Sequence, residues 1–309
     1  MHVPFSYRDT GSAIHRLNAF VMPLWCAAML VAALLLSHPV ALVAVLLATI
    51  PVAVAARVTQ QWVNVMRYVA WMGLAIVAIN AVVSTQGSHV LLEAGFRLPL
   101  LGTPRLTLEA LAFGGAMAVR LSAIISAFTL LNLCLHPDDA MRAAIKLRLP
   151  YRSVLVTSLS TRFVPVLLSD ASLISEVQKS RGLDFEHGGP VQRIRNYGAL
   201  ILPLLSNSLD RATQVSEALE TRGYGAGIRR TFYRDPSPAR EDILALLLLG
   251  GAIAVTIAMR VNGIDSFTYY PSIGAATMHG AELIGLGVLV GLLLSPIPLA
   301  AARRRRTRD

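Results

Sequence analysis

The chain has 309 residues, of which 54% are hydrophobic and only 15% are charged, and its formal net charge is +10. A soluble domain carries more charge, about a quarter of its residues, so this composition excludes an ordinary soluble protein. Cys26 and Cys134 both lie in apolar segments, which leaves neither a disulfide framework nor a CxxC metal site. A helix needs about 20 residues to cross a bilayer, and many apolar stretches of the chain approach that length. The sequence therefore predicts an all-α, polytopic helical membrane protein.

Six apolar segments predict the membrane-spanning helices. In chain order they cover approximately residues 17–36, 40–56, 68–83, 108–133, 243–259 and 276–299. Several are short enough to need tilt or cover from other helices. The first apolar run is long for the core of a cleaved signal peptide and lacks a clear small-residue cleavage site, so we expect an uncleaved anchor. Paired small residues recur in the later spans and predict close helix packing: Gly114, Gly115, Gly250, Gly251, Gly285 and Gly287.

Basic residues predict the orientation of these spans. They are concentrated in the N-terminal segment, in the connection at 57–67, in the run 303–306 and in a long polar island, residues 136–240. With six spans these segments all fall on one face, and the positive-inside rule assigns that face to the cytoplasm. We therefore expect cytoplasmic termini and a cytoplasmic island in a multi-pass protein of the cell membrane. Contact with anionic lipid accounts for the terminal arginine run, so no nucleic-acid partner is expected.

The polar island predicts three helical segments. The first starts at 136–139, where Pro and acidic residues favour a helix N-terminus, and stops before Pro150. The second covers 151–180, and Pro165 is expected to kink it or split it in two. A polar connector then leads to a third helix, which starts near residue 200 and ends at 222. Each segment has one apolar face, so we expect these helices to lie at the membrane surface.

A short phrase occurs twice in this island. The copies are Ser180-Arg181-Gly182 and Thr221-Arg222-Gly223, each at the end of a helix-patterned segment. A Gly just past the last helical residue is an expected C-cap, and an Arg in the last turn complements the negative end of the helix dipole. Capping explains either copy alone. Two copies in one island between membrane spans predict a paired docking device.

Three runs in the island carry a resemblance to a known family: Phe163-Val164-Pro165, then Glu176 through Gly182, then Glu217-Ala218-Leu219-Glu220-Thr221-Arg222-Gly223-Tyr224. Together they resemble the transmembrane T component of energy-coupling factor (ECF) transporters, the vitamin- and metal-uptake members of the ABC superfamily. The likeness is close over roughly 136–234 and looser over the spans. In that family the residue before each Arg is commonly Ala, so Ser180 and Thr221 are mild departures that remain small.

The apolar and polar segments divide the chain, and the resemblance implies a set of partners. The division is an N-terminal bundle of about four spans (1–135), a cytoplasmic coupling module (136–240) and a C-terminal hairpin with a basic tail (241–309), of which the hairpin matches no particular subgroup of the family. Two ABC-type ATPase subunits, which bind the ATP and Mg, and a small substrate-binding membrane protein (the S component) would be the partners, with no cofactor in this chain. Arg181 and Arg222 would each dock into an ATPase groove beside Ser180, Gly182, Thr221 and Gly223. The residues expected to support the coupling helices are Pro165, Glu176, Glu217, Glu220 and Tyr224.

Three further features allow a functional and a structural interpretation. Arg120 lies within the fourth predicted span, where an ionisable group is costly. In the functional interpretation it contacts the bundle interior, backbone carbonyls or the substrate-binding partner. In the structural interpretation it extends to the membrane interface from a tilted helix. His279 and Glu282 are one helical turn apart, but two ligands do not make a metal site, and interfacial placement is favoured. The glycine-rich segment 223–227 has no preceding strand and no following GK[ST], so it is a poor nucleotide site.

No catalytic motif occurs in the sequence: it has no HExxH, no nucleophile elbow and no Walker A. We therefore expect a subunit that is not itself an enzyme. The favoured hypothesis is the energy-coupling scaffold of a multi-subunit importer. A permease of a conventional ABC importer is an alternative, although a single coupling loop per chain is expected there. An ATP-independent secondary transporter is the other, and it would need intramembrane polar groups across several spans or an inverted repeat.

Overall fold

Backbone contacts divide the chain into two compact units. They are a bundle unit, Met1–Ala143 with Pro236–Asp309, and an inserted unit, Ala144–Asp235. The computed structural model describes residues 12–83, 89–93, 105–136, 139–141, 150–183, 185, 189–226, 239–265, 267–270, 274 and 280–306. The predicted division at 135 and 240 differs from these boundaries by a few residues and stays a prediction.

The described residues are helical apart from loops and one small hairpin. A 3-10 turn, Ile14–Arg16, precedes the first long helix. The bundle unit contains α1 (Val21–Leu35), α2 (Pro39–Ala56), α3 (Thr59–Val83), α4 (Leu108–Cys134), α7 (Arg240–Val261), α8 (Gly280–Leu294) and α9 (Pro296–Arg306), and the inserted unit contains α5 (Tyr151–Ser180) and α6 (Pro190–Thr221). The predicted all-α polytopic class is confirmed.

Among the described residues, six helical stretches are long and apolar enough to cross a membrane: Pro39–Ala56, Thr59–Val83, Leu108–Cys134, Arg152–Ser180, Arg240–Val261 and Gly280–Arg303. The last of them joins α8 and most of α9. This set differs from the prediction at two places. The first predicted span is only the 15-residue helix α1, whose Trp25 and Met29 are buried where it packs against α4 and α7. Conversely, α5 meets the length and hydropathy criteria although its sequence was assigned to the polar island. The short length of α1 and its burial among other helices explain why it is not in this set. The apolar face of α5 explains why that helix is.

The sixth predicted span is interrupted. Helix α8 ends at Leu294, and α9 begins at Pro296 and continues into the arginine run. Pro296 and Pro298 have no N–H, so the carbonyls of Leu292 and Leu294 lose the donors that a continuous helix would supply. The Leu292 carbonyl accepts the Ser295 N–H at 3.2 Å, and the neighbouring Leu293 carbonyl accepts a hydrogen bond of 2.9 Å from the Trp25 indole N–H. The two prolines were overlooked as a break because the apolar pattern continues through them.

Two other predictions concern prolines of the inserted unit. Helix α5 continues from Tyr151 to Ser180 with Pro165 inside it, so the predicted split was wrong, while the kink stays a prediction. Helix α6 begins at Pro190 rather than near residue 200, and Pro203 lies in its interior. Proline is favourable in the first turn of a helix, where the N–H is unpaired in any case. The predicted connector is therefore shorter than its polar composition indicated.

A two-stranded antiparallel hairpin, β1 (Val90–Glu93) and β2 (Arg105–Thr107), was not predicted. The carboxylate of fully buried Glu109 holds the residue before β1: it accepts the His89 N–H at 3.2 Å and lies 2.9 Å from His89 Nδ1. Thr107 ends β2 and caps α4, since its hydroxyl accepts the Ala110 N–H at 3.3 Å. Strands of three and four residues leave too little alternation to be recognised from sequence.

Small residues set the closest helix contacts in the bundle unit. A Cβ added at Gly114 would lie 3.1 Å from the Val77 Cα, and one at Gly285 would lie 3.0 Å from the Met259 sulfur. The predicted close packing is thus confirmed at these two glycines. The Gly115 position has open space, as do Gly250 and Gly287. Gly73, which faces the Ala118 Cβ at 3.2 Å, was not singled out from the sequence.

Candidate functional site: two matched helix ends

The first end of interest is the C-terminus of α5. Arg181 is the C-cap residue with φ −86° and ψ 6°, and Gly182 follows in the left-handed region with φ +86°. The Gly182 N–H donates to the Lys179 carbonyl at 3.0 Å, and the Leu183 N–H donates to the Gln178 carbonyl at 3.1 Å. This pair of bonds is the Schellman motif, which needs a residue that accepts positive φ and so selects glycine.

The C-terminus of α6 repeats this geometry. Arg222 has φ −84° and ψ 9°, and Gly223 has φ +76°. The Gly223 N–H donates to the Glu220 carbonyl at 2.8 Å, and the Tyr224 N–H donates to the Leu219 carbonyl at 2.9 Å. Both helices therefore end in the same motif, with the arginine at the same position in it. The C-cap role predicted for the two glycines is confirmed.

The residue before each arginine directs its hydroxyl back onto its own helix. Ser180 Oγ donates to the Val177 carbonyl at 2.8 Å, and Thr221 Oγ1 donates to the Glu217 carbonyl. Both side chains are exposed, yet their polar groups are already satisfied. Ser180 and Thr221 therefore present small surfaces with no unpaired hydroxyl donor, which explains physically how they can stand where the family commonly has Ala.

The two guanidinium groups are available to a partner. Arg181 and Arg222 are exposed, and in the described part of the chain neither side chain forms a hydrogen bond or an ion pair. The acidic residues named from the resemblance, Glu176, Glu217 and Glu220, are exposed too, and so is Pro165. Tyr224 is half-buried. Each arginine carries five donors in a fixed plane, which suits carboxylates and helix-end carbonyls on another protein.

Contacts between α5 and α6 determine where the two ends point. Arg211 forms a 3.0 Å ion pair with Asp170, and Gln178 Nε2 donates to the Ala199 carbonyl at 3.3 Å. Residue numbers rise along one helix as they fall along the other, so the helices lie antiparallel along this contact and their C-terminal ends point apart. The ring of buried Phe185 also contacts Tyr197, at 5.7 Å between centroids. Sequence reasoning missed this pairing, because only the helix crossing brings Asp170 and Arg211 together.

Arg120 belongs to the bundle unit and does not contribute to the matched ends. Its NH2 donates to the Leu36 carbonyl at 2.8 Å, just beyond the end of α1, and its NH1 lies 3.6 Å from the Met117 sulfur. A backbone carbonyl was one of the predicted contacts. The positive charge complements the negative end of the α1 dipole. Burial raises the pKa of the Tyr269 hydroxyl above its ordinary value; the charge of Arg120 lowers it in part, and that of Asp265 raises it.

The turn between α1 and α2, residues 36–38, is also held by a buried carboxylate that the sequence did not reveal, that of Asp265 in the loop after α7. Asp265 accepts the His38 N–H at 3.0 Å and also the Ser37 N–H. The Tyr269 hydroxyl donates to the Ser37 carbonyl at 2.8 Å. An aspartate in a short loop after an apolar helix does not predict a buried carboxylate, since most loop carboxylates are solvated. These bonds join the α1–α2 turn to the loop after α7.

The other sequence candidates gain no site. His279 lies outside the described residues, as does Gly227 of the glycine-rich segment. Within the part of the chain that the structure describes, no three His, Cys, Asp or Glu side chains are grouped so that they could hold a metal ion. Gly225, with φ +94°, continues the turn after α6. The matched helix ends are therefore the candidate site.

Comparison with known proteins places this arrangement in a family. The family model described as cobalt transport protein (CbiQ) matches residues 10–233, well over half of the chain. The chain belongs to this family. The matched stretch of the cobalt transport protein family contains both helix ends and stops before α7, so α7, α8 and α9 lie outside it.

Relatives agree with the family. The chain is 35% identical over 173 residues to the "Energy-coupling factor transporter transmembrane protein EcfT" of Streptococcus equi subsp. equi, covering 53% of this chain and 62% of that protein. It is 34% identical over 191 residues to the EcfT of Streptococcus thermophilus, covering 58% of this chain and 69% of the relative. The chain thus spans less than two thirds of the first relative's length. The predicted resemblance to ECF T components is confirmed.

Proposed function

We propose that this chain is the energy-coupling transmembrane component of an ECF-type importer, in which the two arginine-bearing helix ends each dock into one of two ATPase subunits. The observation that carries the proposal is the identity of the two ends: the same Schellman motif, the same arginine position and the same exposure on α5 and α6. The Schellman motif alone does not distinguish them, since α7 also ends in it at Asn262 and Gly263; the exposed arginine at the C-cap position is what α5 and α6 share. A pair of identical ends suits a partner that is itself present in two similar copies.

The chemistry of the ends supports docking. A guanidinium that is exposed and unpaired among the described residues can form bidentate bonds with carboxylates of a partner without breaking bonds in its own chain. The neighbouring small residues, Ser180 with Gly182 and Thr221 with Gly223, permit close approach. Truncating one partner of a buried, hydrogen-bonded charge pair costs about 2–5 kcal/mol or more. Two such contacts would hold the ATPases through repeated conformational change.

The length of the helices supports transmission of motion. Helix α5 has 30 residues and α6 has 32, and the Asp170–Arg211 pair and the Gln178 contact join them. When the ATPases bind and hydrolyse Mg-ATP, movement of their grooves would displace both helix ends and so the helix pair. A separate small membrane protein would bind the substrate, so the substrate, a vitamin or a metal ion, is selected outside this chain. ATP hydrolysis takes place in the partner subunits.

Orientation is part of the proposal. The concentration of basic residues assigns the termini and the inserted unit to the cytoplasm, where ATP is available. Since α5 is apolar enough to span a membrane, this assignment needs a direct test. Single cysteines placed after Met1, at Ser180, at Thr221 and before Asp309 in a cysteine-free variant should all react only with reagents that reach the cytoplasm. Labelling of Ser180 and Thr221 from opposite sides, or of either terminus from outside, would overturn the orientation.

The test of docking is purification of the tagged full chain in a mild detergent, followed by mass spectrometry of the co-purifying proteins. We expect two ABC-type ATPases and a small hydrophobic protein with the wild type, and loss of the ATPases with Arg181→Ala/Arg222→Ala. The matched control is Arg152→Ala/Arg195→Ala, which removes two exposed arginines near the starts of the same helices and should retain the ATPases. Retention in both double variants would refute the docking function, and purification of the wild type alone would favour the secondary-transporter alternative.

A further inference from the structure

A fully buried carboxylate at the start of α7 joins three parts of the bundle unit. Asp242 Oδ1 accepts the Asn18 N–H at 3.1 Å, and Oδ2 accepts the Ala239 N–H at 3.0 Å. Arg303 NH1 donates to both oxygens, at 2.6 and 2.8 Å. Asp242 thus connects the N-terminal segment, the residues just before α7 and the C-terminal helix α9.

The N-terminal segment also holds the end of α4. His15 Nε2 donates to the Leu133 carbonyl at 3.3 Å, and this assigns His15 Nδ1 as the acceptor of the 2.7 Å bond from the Ser12 hydroxyl. Leu133 needs such a donor because residue 137, four positions on, is a proline without an N–H. Segment 12–18 is therefore bonded to α4 at one place and to Asp242 at another.

These two places flank the inserted unit in the sequence. The chain leaves the bundle unit after Ala143, shortly past the end of α4, and returns at Pro236, three residues before Ala239. One short segment therefore bonds to the last turn of the helix that precedes the inserted unit and to the carboxylate that begins the helix after it. Asp242 and Arg303 lie beyond the matched stretch of the family, residues 10–233.

We infer that Asp242 and Arg303 are positioning residues: with segment 12–18 they hold the end of α4 and the start of α7, the bundle-unit residues that flank the inserted unit in the sequence, so that displacement of the docking helices reaches the membrane helices. This inference rests on the proposed function. If these bonds served stability alone, there would be no reason for segment 12–18 to bond on both sides of the inserted unit. Burying an ion pair is often no more stabilising than apolar packing, so stability is a weak explanation for its presence.

The test uses the assembled complex, purified through a tag on this chain, in nanodiscs. Hydrogen–deuterium exchange is compared between Mg-ADP and a non-hydrolysable ATP analogue for the wild type, Arg303→Gln and Arg303→Lys. Arg308→Gln is the matched control, because it removes the same charge from the same basic tail. The readout is the nucleotide-dependent difference in exchange within the membrane helices α4 and α7, away from the ends that connect to the inserted unit, with ATPase retention measured on each sample.

We expect Arg303→Gln to retain the ATPases but to reduce this nucleotide-dependent difference about fivefold or more, within the usual range of coupling between sites. Arg303→Lys should restore part of it, and Arg308→Gln should match the wild type. Should Arg303→Gln not fold, His15→Ala, which removes the bond to Leu133, should give the same loss. An unchanged difference in a folded variant, or no difference in the wild type, would overturn the inference. Absence of ATPases from the wild-type sample would instead show that the proposed function had failed.

Discussion

The two units use arginine in opposite ways. In the bundle unit, Arg120 donates to the Leu36 carbonyl and Arg303 to both oxygens of buried Asp242. In the inserted unit, Arg181 and Arg222 are exposed at the ends of their helices, and among the described residues their side chains have no partner. Arg120 and Arg303 complete internal bonding, and Arg211 of the inserted unit pairs with Asp170, whereas the two arginines at the helix ends are left available. That contrast shows which arginines are bonded within the fold and which can serve a second protein.

The largest expected effect comes from removing the buried carboxylate. Asp242→Ala removes the buried carboxylate that accepts hydrogen bonds from Arg303 and from the backbone N–H groups of Asn18 and Ala239, so we expect a loss of about 3–5 kcal/mol in the free energy of unfolding. Glu217→Ala, at an exposed position of the inserted unit, should change it by less than about 0.5 kcal/mol. Equilibrium unfolding in mixed micelles measures both. Equal losses would remove the contrast between the units.

The next effect distinguishes adjacent glycines in α4. Gly114→Ala places a Cβ 3.1 Å from the Val77 Cα, so α3 and α4 must separate, and overpacking of this kind costs about 1–3 kcal/mol. Gly115→Ala has open space and should instead stabilise α4 by up to about 1 kcal/mol through helix propensity. The same unfolding assay should give opposite signs for the two variants. The same sign for both would mean that this helix contact is not close-packed.

A smaller effect tests whether the end geometry matters apart from the charge. Gly182→Ala or Gly223→Ala forces a side chain into positive φ, +86° or +76°, at a cost of about 1–2 kcal/mol. The last turn should unwind and ATPase retention should fall although both arginines remain. Gly198→Ala, inside α6 with open space around it, is the control and should retain the ATPases. Full retention in the two end variants would show that the Schellman motif is not required.

The smallest expected effect is that of the Asp170–Arg211 pair. The two side chains are 25% and 37% exposed, so solvent screens the attraction and a double-mutant cycle with Asn and Gln should give less than about 1 kcal/mol. Helix pairing in the inserted unit would then depend mainly on apolar contact. A coupling energy as large as that of the buried Asp242 pair would show that the inserted unit, too, depends on internal ion pairs.

Local features of the fold could be predicted from the sequence, whereas long-range bonds could not. Apolar runs predicted the membrane helices, and Gly182 and Gly223 predicted the two helix ends, because both signals lie within a few residues. Asp242 bonds to Asn18 and Arg303, 224 and 61 positions away, and no periodicity records such a pairing. The incorrect predictions at Pro165, Pro190 and Pro296 have one cause. The effect of a proline depends on its position within the helix, and composition alone does not reveal that position.

The central claim is that both helix ends contact ATPase subunits, and photo-crosslinking tests it directly. Benzoylphenylalanine replaces Ser180 or Thr221 in separate variants of the full chain, with replacements at Arg152 and Arg195 as controls on the same helices. Irradiation in native membranes should join the chain to an ABC-type ATPase from both end positions and from neither control position. Crosslinks from one end only, or from none, would contradict the account of two equivalent docking ends.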